Sequence, residues 1–193
     1  NVAGYDISRL LAGSMGVLGV ICEVSLKVLP VAPATRTLRF DMDQPTALRS
    51  LNEWAGQPLP LNASAWWDGA LVLRLRGAQA AVSSAVQKLG GEPIAEDLAD
   101  GFWRGLRDHR DEFFTGAEEA LAQGASLWRF SVAPTAPKLA LHGMQQLIEW
   151  GGAQRWVVSD AKHELMHAAA AEARGSASVF RGRHHGSETF APL

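Results

Sequence analysis

The sequence contains one cysteine among its 193 residues, so an internal disulfide bond is excluded. This lone thiol, Cys22, fits a reducing compartment, and we expect the protein in the cytoplasm. The sequence also lacks an apolar run of the roughly 20 residues that a membrane-spanning helix needs. Lysines and arginines are scattered and the formal net charge is −2, so we expect no nucleic-acid partner. Hydrophobic residues make up 47% of the chain, enough for a sizeable core.

The common glycine-rich nucleotide motifs are missing too, although Gly13, Gly16 and Gly19 recur near the start. Their spacing is not G-x-G-x-x-G, and no Gly-Lys-Ser/Thr follows them. They lie between a predicted helix at 7–12 and a predicted strand at 20–29, which is the reverse of the Rossmann order. From spacing alone they predict either a tight turn between two elements or a set of backbone N–H groups that face an anion.

The rest of the chain predicts an α+β domain, because apolar periodicities of strand and helix type alternate along it. A proline and alanine link at 31–34 divides the chain into units 1–30 and 31–193. The order of elements is βαββαβ, a helix, and βαββαβ again, which predicts an antiparallel sheet with helices on one face, as in tandem ferredoxin-like units. The predicted strands are 36–42, 62–67, 70–76, 92–95, 127–132, a short one at Trp150, 155–158 and 176–180. The predicted helices are 44–55, 78–89, 98–114, one containing 141–148, and one that is capped by Asp160 and runs to Ala173.

The residues around the early glycines carry a family resemblance. The pattern Gly4-Tyr5-Asp6-Ile7, Leu10, Gly13-Ser14-x-Gly16-x-Leu18-Gly19-Val20-Ile21-x-Glu23-Val24-x-Leu26-Lys27 resembles the end of the FAD domain in FAD-linked oxidases of the vanillyl-alcohol oxidase type. Within that family it is similar to the FAD-binding subunits of bacterial glycolate oxidases. The segments 127–132, 151–156 and 190–193 resemble the same subunits, so the likeness extends over most of the chain.

The resemblance implies that unit 1–30 is the end of a PCMH-type FAD domain, with mostly backbone contacts to the cofactor. Met15 and Val17 stand where the wider family often has glutamate and threonine, so side-chain contacts at these two positions are not expected. The residues implied to contact FAD are Ser14, Met15, Gly16, Val17, Leu18, Gly19 and Val20.

The resemblance also implies that the chain is a C-terminal part of a longer subunit, inactive when isolated, with 31–193 as its substrate or cap domain. The expected reaction is oxidation of glycolate or a similar 2-hydroxy acid with FAD as electron acceptor. The expected partners are a second flavin subunit and an iron–sulfur subunit, which would bring the cytoplasmic protein to the inner face of the membrane. The sequence identifies no catalytic base.

Two arginines on predicted strands, Arg129 and Arg155, are candidate ligands for a substrate carboxylate, because a guanidinium binds a carboxylate through two parallel hydrogen bonds. The alternative is an ordinary arginine on the polar face of each strand.

Two other functions are open. His163-Glu164-Leu165-Met166-His167 matches the H-E-x-x-H pattern of zinc hydrolases within a predicted helix, but no convincing third ligand follows it, and a solvent-exposed helix face is the simpler interpretation. The chain could instead be a non-catalytic assembly module that docks other oxidase subunits.

Overall fold

The computed structural model describes residues 4 and 6–182, and the chain divides into two compact units, Asn1–Val31 and Ala32–Leu193. The division falls at the proline and alanine link. That the first unit is the end of a FAD domain, and the second a substrate or cap domain, stays a prediction. The segment 190–193, which is part of the resemblance, lies outside the described residues.

The first unit contains one short helix, α1, at Ile7–Leu11. Its N-terminus is capped by Asp6, whose carboxylate accepts a hydrogen bond from the backbone N–H of Arg9 at 3.2 Å. The predicted strand at 20–29 is wrong, since these residues form no strand. β-branched residues favour an extended backbone there, but a strand also needs a hydrogen-bonded neighbour, and the described part of this unit has none.

The second unit is built on an eight-stranded sheet, counted over the described residues, with strand order β4-β1-β3-β2-β6-β7-β5-β8. Every neighbouring pair is antiparallel. Each half has the strand order of a ferredoxin-like unit, and the halves join where β2 pairs with β6, so the predicted tandem architecture is confirmed. The strands are β1 Ala34–Asp41, β2 Leu61–Trp67, β3 Ala70–Gly77, β4 Glu92–Ile94, β5 Ser126–Ser131, β6 Gln146–Glu149, β7 Gln154–Ser159 and β8 Ser176–Arg181.

Helices cover both faces of this sheet. The helices within the ferredoxin-like units lie on one face, as predicted, where two clusters of buried apolar side chains join them to the strands. The two helices that link the units, α4 and α5, pack against the opposite face. None of the described helices is long and apolar enough to cross a lipid bilayer. The helices are α2 Gln44–Ala55, α3 Gln79–Leu89, α4 Glu96–Arg107, α5 Glu112–Ala122 and α6 His163–Glu172.

Two of the predicted helices differ from the structure: one is broken into two helices and the other does not form. The helix predicted at 98–114 is broken between α4 and α5, where His109 has a φ of 54° that a continuous helix does not contain. The helix predicted around 141–148 does not form, because residues 132–145 are a loop and Leu147 and Ile148 belong to β6. Leu139 and Leu141 nevertheless pack into the core from that loop, so burial without a helix explains the apolar pattern.

Gly175, between α6 and β8, is a position where a side chain has no room. A Cβ added there would lie 2.2 Å from the Ser131 carbonyl oxygen and 2.8 Å from Val132. Because backbone atoms cannot move aside as a side chain can, we expect Gly175→Ala to lower the free energy of unfolding by about 3 kcal/mol. Urea denaturation of the purified chain measures this change.

The matched control is Gly101→Ala in α4, where an added Cβ meets nothing within 4 Å. Alanine favours a helix over glycine, so this variant should gain about 0.5–1 kcal/mol. Equal stabilities for the two variants would contradict the packing described for Gly175.

Candidate functional site

A cleft of about 750 Å³ lies on the sheet face that carries α4 and α5. Strand alternation determines which side chains reach it. Val72 and Leu127 pack against α4 and α5, so residues two positions further along, Arg74 and Arg129, lie on the same face. Arginine dominates the charge of the cleft, which favours an anionic ligand. The charged residues that line it are Arg74, Arg76, Arg104, Arg107, Arg129, Asp100 and Glu149.

The arginines of the cleft differ in how far their guanidinium groups are already paired. Arg74 donates to the Asn62 side-chain oxygen at 2.6 Å and lies over the Trp103 ring, 4.8 Å from its centroid. Partial burial lowers the pKa of Arg74. By contrast, the guanidinium of Arg129 makes no hydrogen bond or ion pair with any described residue. Arg129 is therefore available to a ligand.

The helix-borne arginines have a local reason for their position. Arg104 and Arg107 occupy the last turn of α4, where positive charge complements the helix dipole. Arg107 pairs with the neighbouring Asp108 carboxylate at 2.8 Å, and this bond raises the pKa of Arg107 and lowers that of Asp108. The result is the positive charge of Arg104 and an Arg107–Asp108 ion pair at the edge of the cleft.

Arg155 faces away from the cleft. In the β5–β7 pairing Arg129 is opposite Trp156 while Arg155 is opposite Phe130, and Phe130 belongs to the core under α6. The Arg155 side chain is fully buried and donates to the carbonyl oxygens of Gly152 at 3.1 Å, Pro137 at 2.5 Å and Ala136 at 2.6 Å.

Burial lowers the pKa of Arg155 to about 10, so its guanidinium stays charged at neutral pH. Its three hydrogen bonds to backbone carbonyl oxygens hold the loop 132–145 and the turn before β7 against the sheet. Of the two predicted substrate ligands, Arg129 lies in the cleft and Arg155 holds the backbone together behind it.

Glu149 is a half-buried carboxylate in the wall of the cleft. It accepts hydrogen bonds from the Trp156 indole N–H at 2.6 Å and from the Gln154 amide at 3.1 Å. Burial raises its pKa above the ordinary 4.5, although these two hydrogen bonds oppose the shift. Asp111, the N-cap of α5, has a pKa raised by burial as well.

These raised pKa values predict how stability changes with pH. Above pH 4.5, and up to the raised pKa of Glu149, the folded state binds more protons than the unfolded state, so stability falls as pH rises through this window. We expect Glu149→Gln to reduce that fall, because an amide oxygen still accepts from Trp156 but does not titrate. Urea denaturation between pH 4.5 and pH 7 measures the slope. Identical slopes in both proteins would contradict the burial of this carboxylate.

His109 also lines the cleft, between α4 and α5. Its ring is stacked on Phe114, with centroids 3.9 Å apart and planes 10° apart. Its Nδ1 lies 3.2 Å from a guanidinium nitrogen of Arg181. Burial lowers the pKa of His109, and the charge of Arg181 lowers it further.

The glycine-rich segment at 13–19 of the first unit has backbone N–H groups that make no hydrogen bond with the backbone of the described residues. Gly13 and Gly16 have φ values of 80° and 83°, Met15 has a φ of 52°, and an added Cβ at either glycine would meet nothing within 4 Å. Turn hydrogen bonds use the N–H groups of Ser14, Val17 and Gly19, but those of Gly16 and Leu18 have no backbone partner among the described residues. The segment can therefore present donors to an anion without obstruction by side chains.

The H-E-x-x-H pattern lies on α6, as predicted, but the helix begins at His163 and its N-cap is Lys162, not Asp160. The His163 and His167 rings are 6.4 Å apart, and each meets the buried Trp128 edge-on. Over the described residues, no group of three His, Cys, Asp or Glu side chains is arranged to hold a metal ion. Both histidines thus have packing roles in this structure.

Of the five cleft arginines, Arg129 is the one predicted here as a ligand. The alternation Val72-x-Arg74-x-Arg76 within a predicted strand is the sequence signal that places Arg74 and Arg76 on one face of the sheet. His109 has no such signal, because it lies where a continuous helix was predicted.

The comparisons with known proteins agree with the resemblance found in the sequence. The chain is 42% identical over all 193 of its residues to the glycolate oxidase subunit GlcE of Escherichia coli (strain K12). It spans about half, 51%, of the length of that subunit. No family profile matches the chain, and no solved structure matches it. The predicted likeness to bacterial glycolate oxidase subunits is thereby confirmed.

Proposed function

We propose that this chain is a C-terminal part of an FAD-dependent oxidoreductase subunit that takes part in oxidising glycolate or a similar 2-hydroxy acid. The identity of 42% to a glycolate oxidase subunit, maintained over the full chain, supports the reaction class. The observation that carries the substrate assignment is the cleft with its unpaired Arg129. Glycolate bears one carboxylate, which a guanidinium binds through two parallel hydrogen bonds.

The other arginines give this cleft its preference for anions. Arg74, Arg76 and Arg104 raise the local positive potential. Trp103 and Trp156 form apolar walls that reduce screening by water. In this proposal Arg129 is the ligand for the substrate carboxylate, while Arg155 acts behind the cleft by holding the backbone.

We assign FAD to the first unit. The open backbone at 14–20 fits a cofactor contacted through N–H groups, which is consistent with Met15 and Val17 in place of polar side chains. When bound, FAD accepts the hydride equivalent from the substrate. The chain's own part there is to hold and orient the cofactor through backbone donors of the segment Ser14, Met15, Gly16, Val17, Leu18, Gly19 and Val20.

The proposed partners are a second flavin subunit and an iron–sulfur subunit, in a cytoplasmic complex at the inner face of the membrane. One observation favours the alternative, an assembly module without a catalytic part. Many of the described apolar side chains of the first unit are highly exposed, among them Val17 at 85%, Val20 at 88% and Leu29 at 89%. Exposed apolar surface of this kind marks protein interaction sites.

A pair of titrations of the purified chain tests the proposal. Flavin absorbance and fluorescence report FAD binding, and isothermal titration calorimetry reports glycolate binding. Saturable binding of glycolate supports a substrate domain, and saturable binding of FAD supports the cofactor assignment. A chain that binds neither, at millimolar glycolate and micromolar FAD, would favour the assembly module.

A further inference from the structure

The backbone at His109 is unusual for a residue with a side chain. It has a φ of 54°, in the left-handed region that costs a non-glycine residue of the order of 1 kcal/mol or more. This is the C′ conformation of the Schellman motif that ends α4, in which the N–H of Arg110 donates to the carbonyl oxygen of Gly105 at 2.7 Å and the N–H of His109 donates to that of Leu106 at 3.3 Å. Here the conformation sets an imidazole into the wall of the arginine cleft.

The surrounding aromatic side chains fix the orientation of this ring. Phe114 covers one face of the imidazole at 3.9 Å, Trp156 meets it at 80° with centroids 5.0 Å apart, and Phe180 lies 5.3 Å away. Trp156 is itself held through its indole N–H by Glu149. The ring therefore has little freedom to turn.

The tautomer of His109 follows from its contact with Arg181. A guanidinium has only donors, so at 3.2 Å the Nδ1 atom must be the acceptor. A neutral imidazole that accepts at Nδ1 carries its proton on Nε2. The charge of Arg181 and the burial of the ring both oppose protonation of Nδ1. His109 is thus a neutral imidazole with one N–H donor, and it lines a cleft whose other donors are mostly charged.

We propose that Nε2–H of His109 donates a hydrogen bond to the hydroxyl oxygen of a 2-hydroxy acid whose carboxylate is bound by Arg129. This inference rests on the proposed function and adds the group that recognises the hydroxyl. Charged guanidinium groups suit the carboxylate, and a neutral donor suits the uncharged hydroxyl. His109 is then a specificity-determining residue, which distinguishes a 2-hydroxy acid from the plain acid.

Calorimetric titrations of the purified chain with glycolate and with acetate, which lacks only the hydroxyl, test this inference. We expect the native chain to prefer glycolate by about tenfold, the value of one neutral hydrogen bond. His109→Phe keeps the stacking on Phe114 and loses the donor, so its preference should fall to nearly one with the acetate affinity unchanged. His109→Gln keeps an N–H donor and should retain part of the preference.

A spectroscopic measurement on the native chain covers the case in which His109→Phe does not fold. Nitrogen-15 NMR of the imidazole should show the proton on Nε2, and this resonance should shift with glycolate and not with acetate. A proton on Nδ1, or equal affinities for the two acids with both still dependent on Arg129, would overturn the role of His109 and leave the proposed function intact. Absence of binding for both acids would overturn the two together.

Discussion

Replacing Arg155 by methionine lowers the free energy of unfolding by about 4 kcal/mol, the largest stability effect we expect from a single substitution in this chain. The three carbonyl oxygens of Ala136, Pro137 and Gly152 lose their donors in a site from which water is excluded. A methionine fills much of the space but offers no hydrogen bond. Urea denaturation of the purified variant measures the loss.

Two control variants separate hydrogen bonding from charge at this site. Arg155→Lys keeps the positive charge but not the fork of donors, so it should remain at least 2 kcal/mol less stable than the native chain. Arg39→Met removes an exposed arginine of β1 that pairs with Asp41, and should change stability by less than about 0.5 kcal/mol. A methionine at 155 as stable as arginine would contradict the described contacts.

Replacing Arg129 by methionine should weaken glycolate binding by about 10- to 100-fold, the value of a charge-assisted hydrogen bond to a carboxylate. The stability of the chain should stay within about 0.5 kcal/mol, because this exposed guanidinium makes no bond with the described residues. Calorimetric titration and urea denaturation of the same sample measure both quantities.

Arg39→Met is the matched control for this experiment as well. It removes the same charge from the same unit but lies outside the cleft, so glycolate affinity should stay within about twofold of the native value. Equal losses in the two variants would mean that net charge, and not the cleft, attracts glycolate. No loss in either would remove Arg129 from the proposed site.

Much of the fold could be predicted because local signals agree with the tertiary structure. The predicted strands 62–67 and 70–76 form the hairpin β2–β3 around the Asp68-Gly69 turn, and Asp43 caps α2 by accepting a hydrogen bond from the backbone N–H of Thr46 at 2.9 Å. For the helix predicted around 141–148, burial was predicted correctly and the periodicity was not. Leu141 is buried from a loop, and Leu147 and Ile148 are buried from a strand, although with Met144 they have a helical spacing.

The candidate site was less predictable, because it depends on how strands are paired. Arg129 and Arg155 each lie on a strand of alternating pattern, and nothing within either strand tells which face its arginine occupies. Arg129 is opposite Trp156 and lies on the cleft face of the sheet. Arg155 is opposite Phe130 and lies on the other face, in the core. Likewise, His109 lines the cleft because its own backbone is left-handed and ends α4. The continuous helical pattern at 98–114 gives no sign of this break.

The central claim is that the arginine cleft binds the carboxylate of a 2-hydroxy acid at Arg129, and NMR of the arginine Nε–H groups tests it most directly. With the chain labelled at arginine, a glycolate titration should shift the Arg129 resonance saturably while that of Arg39 stays in place. Assignment rests on the Arg129→Met and Arg39→Met variants. An Arg129 resonance that does not move while glycolate binds elsewhere would contradict the account.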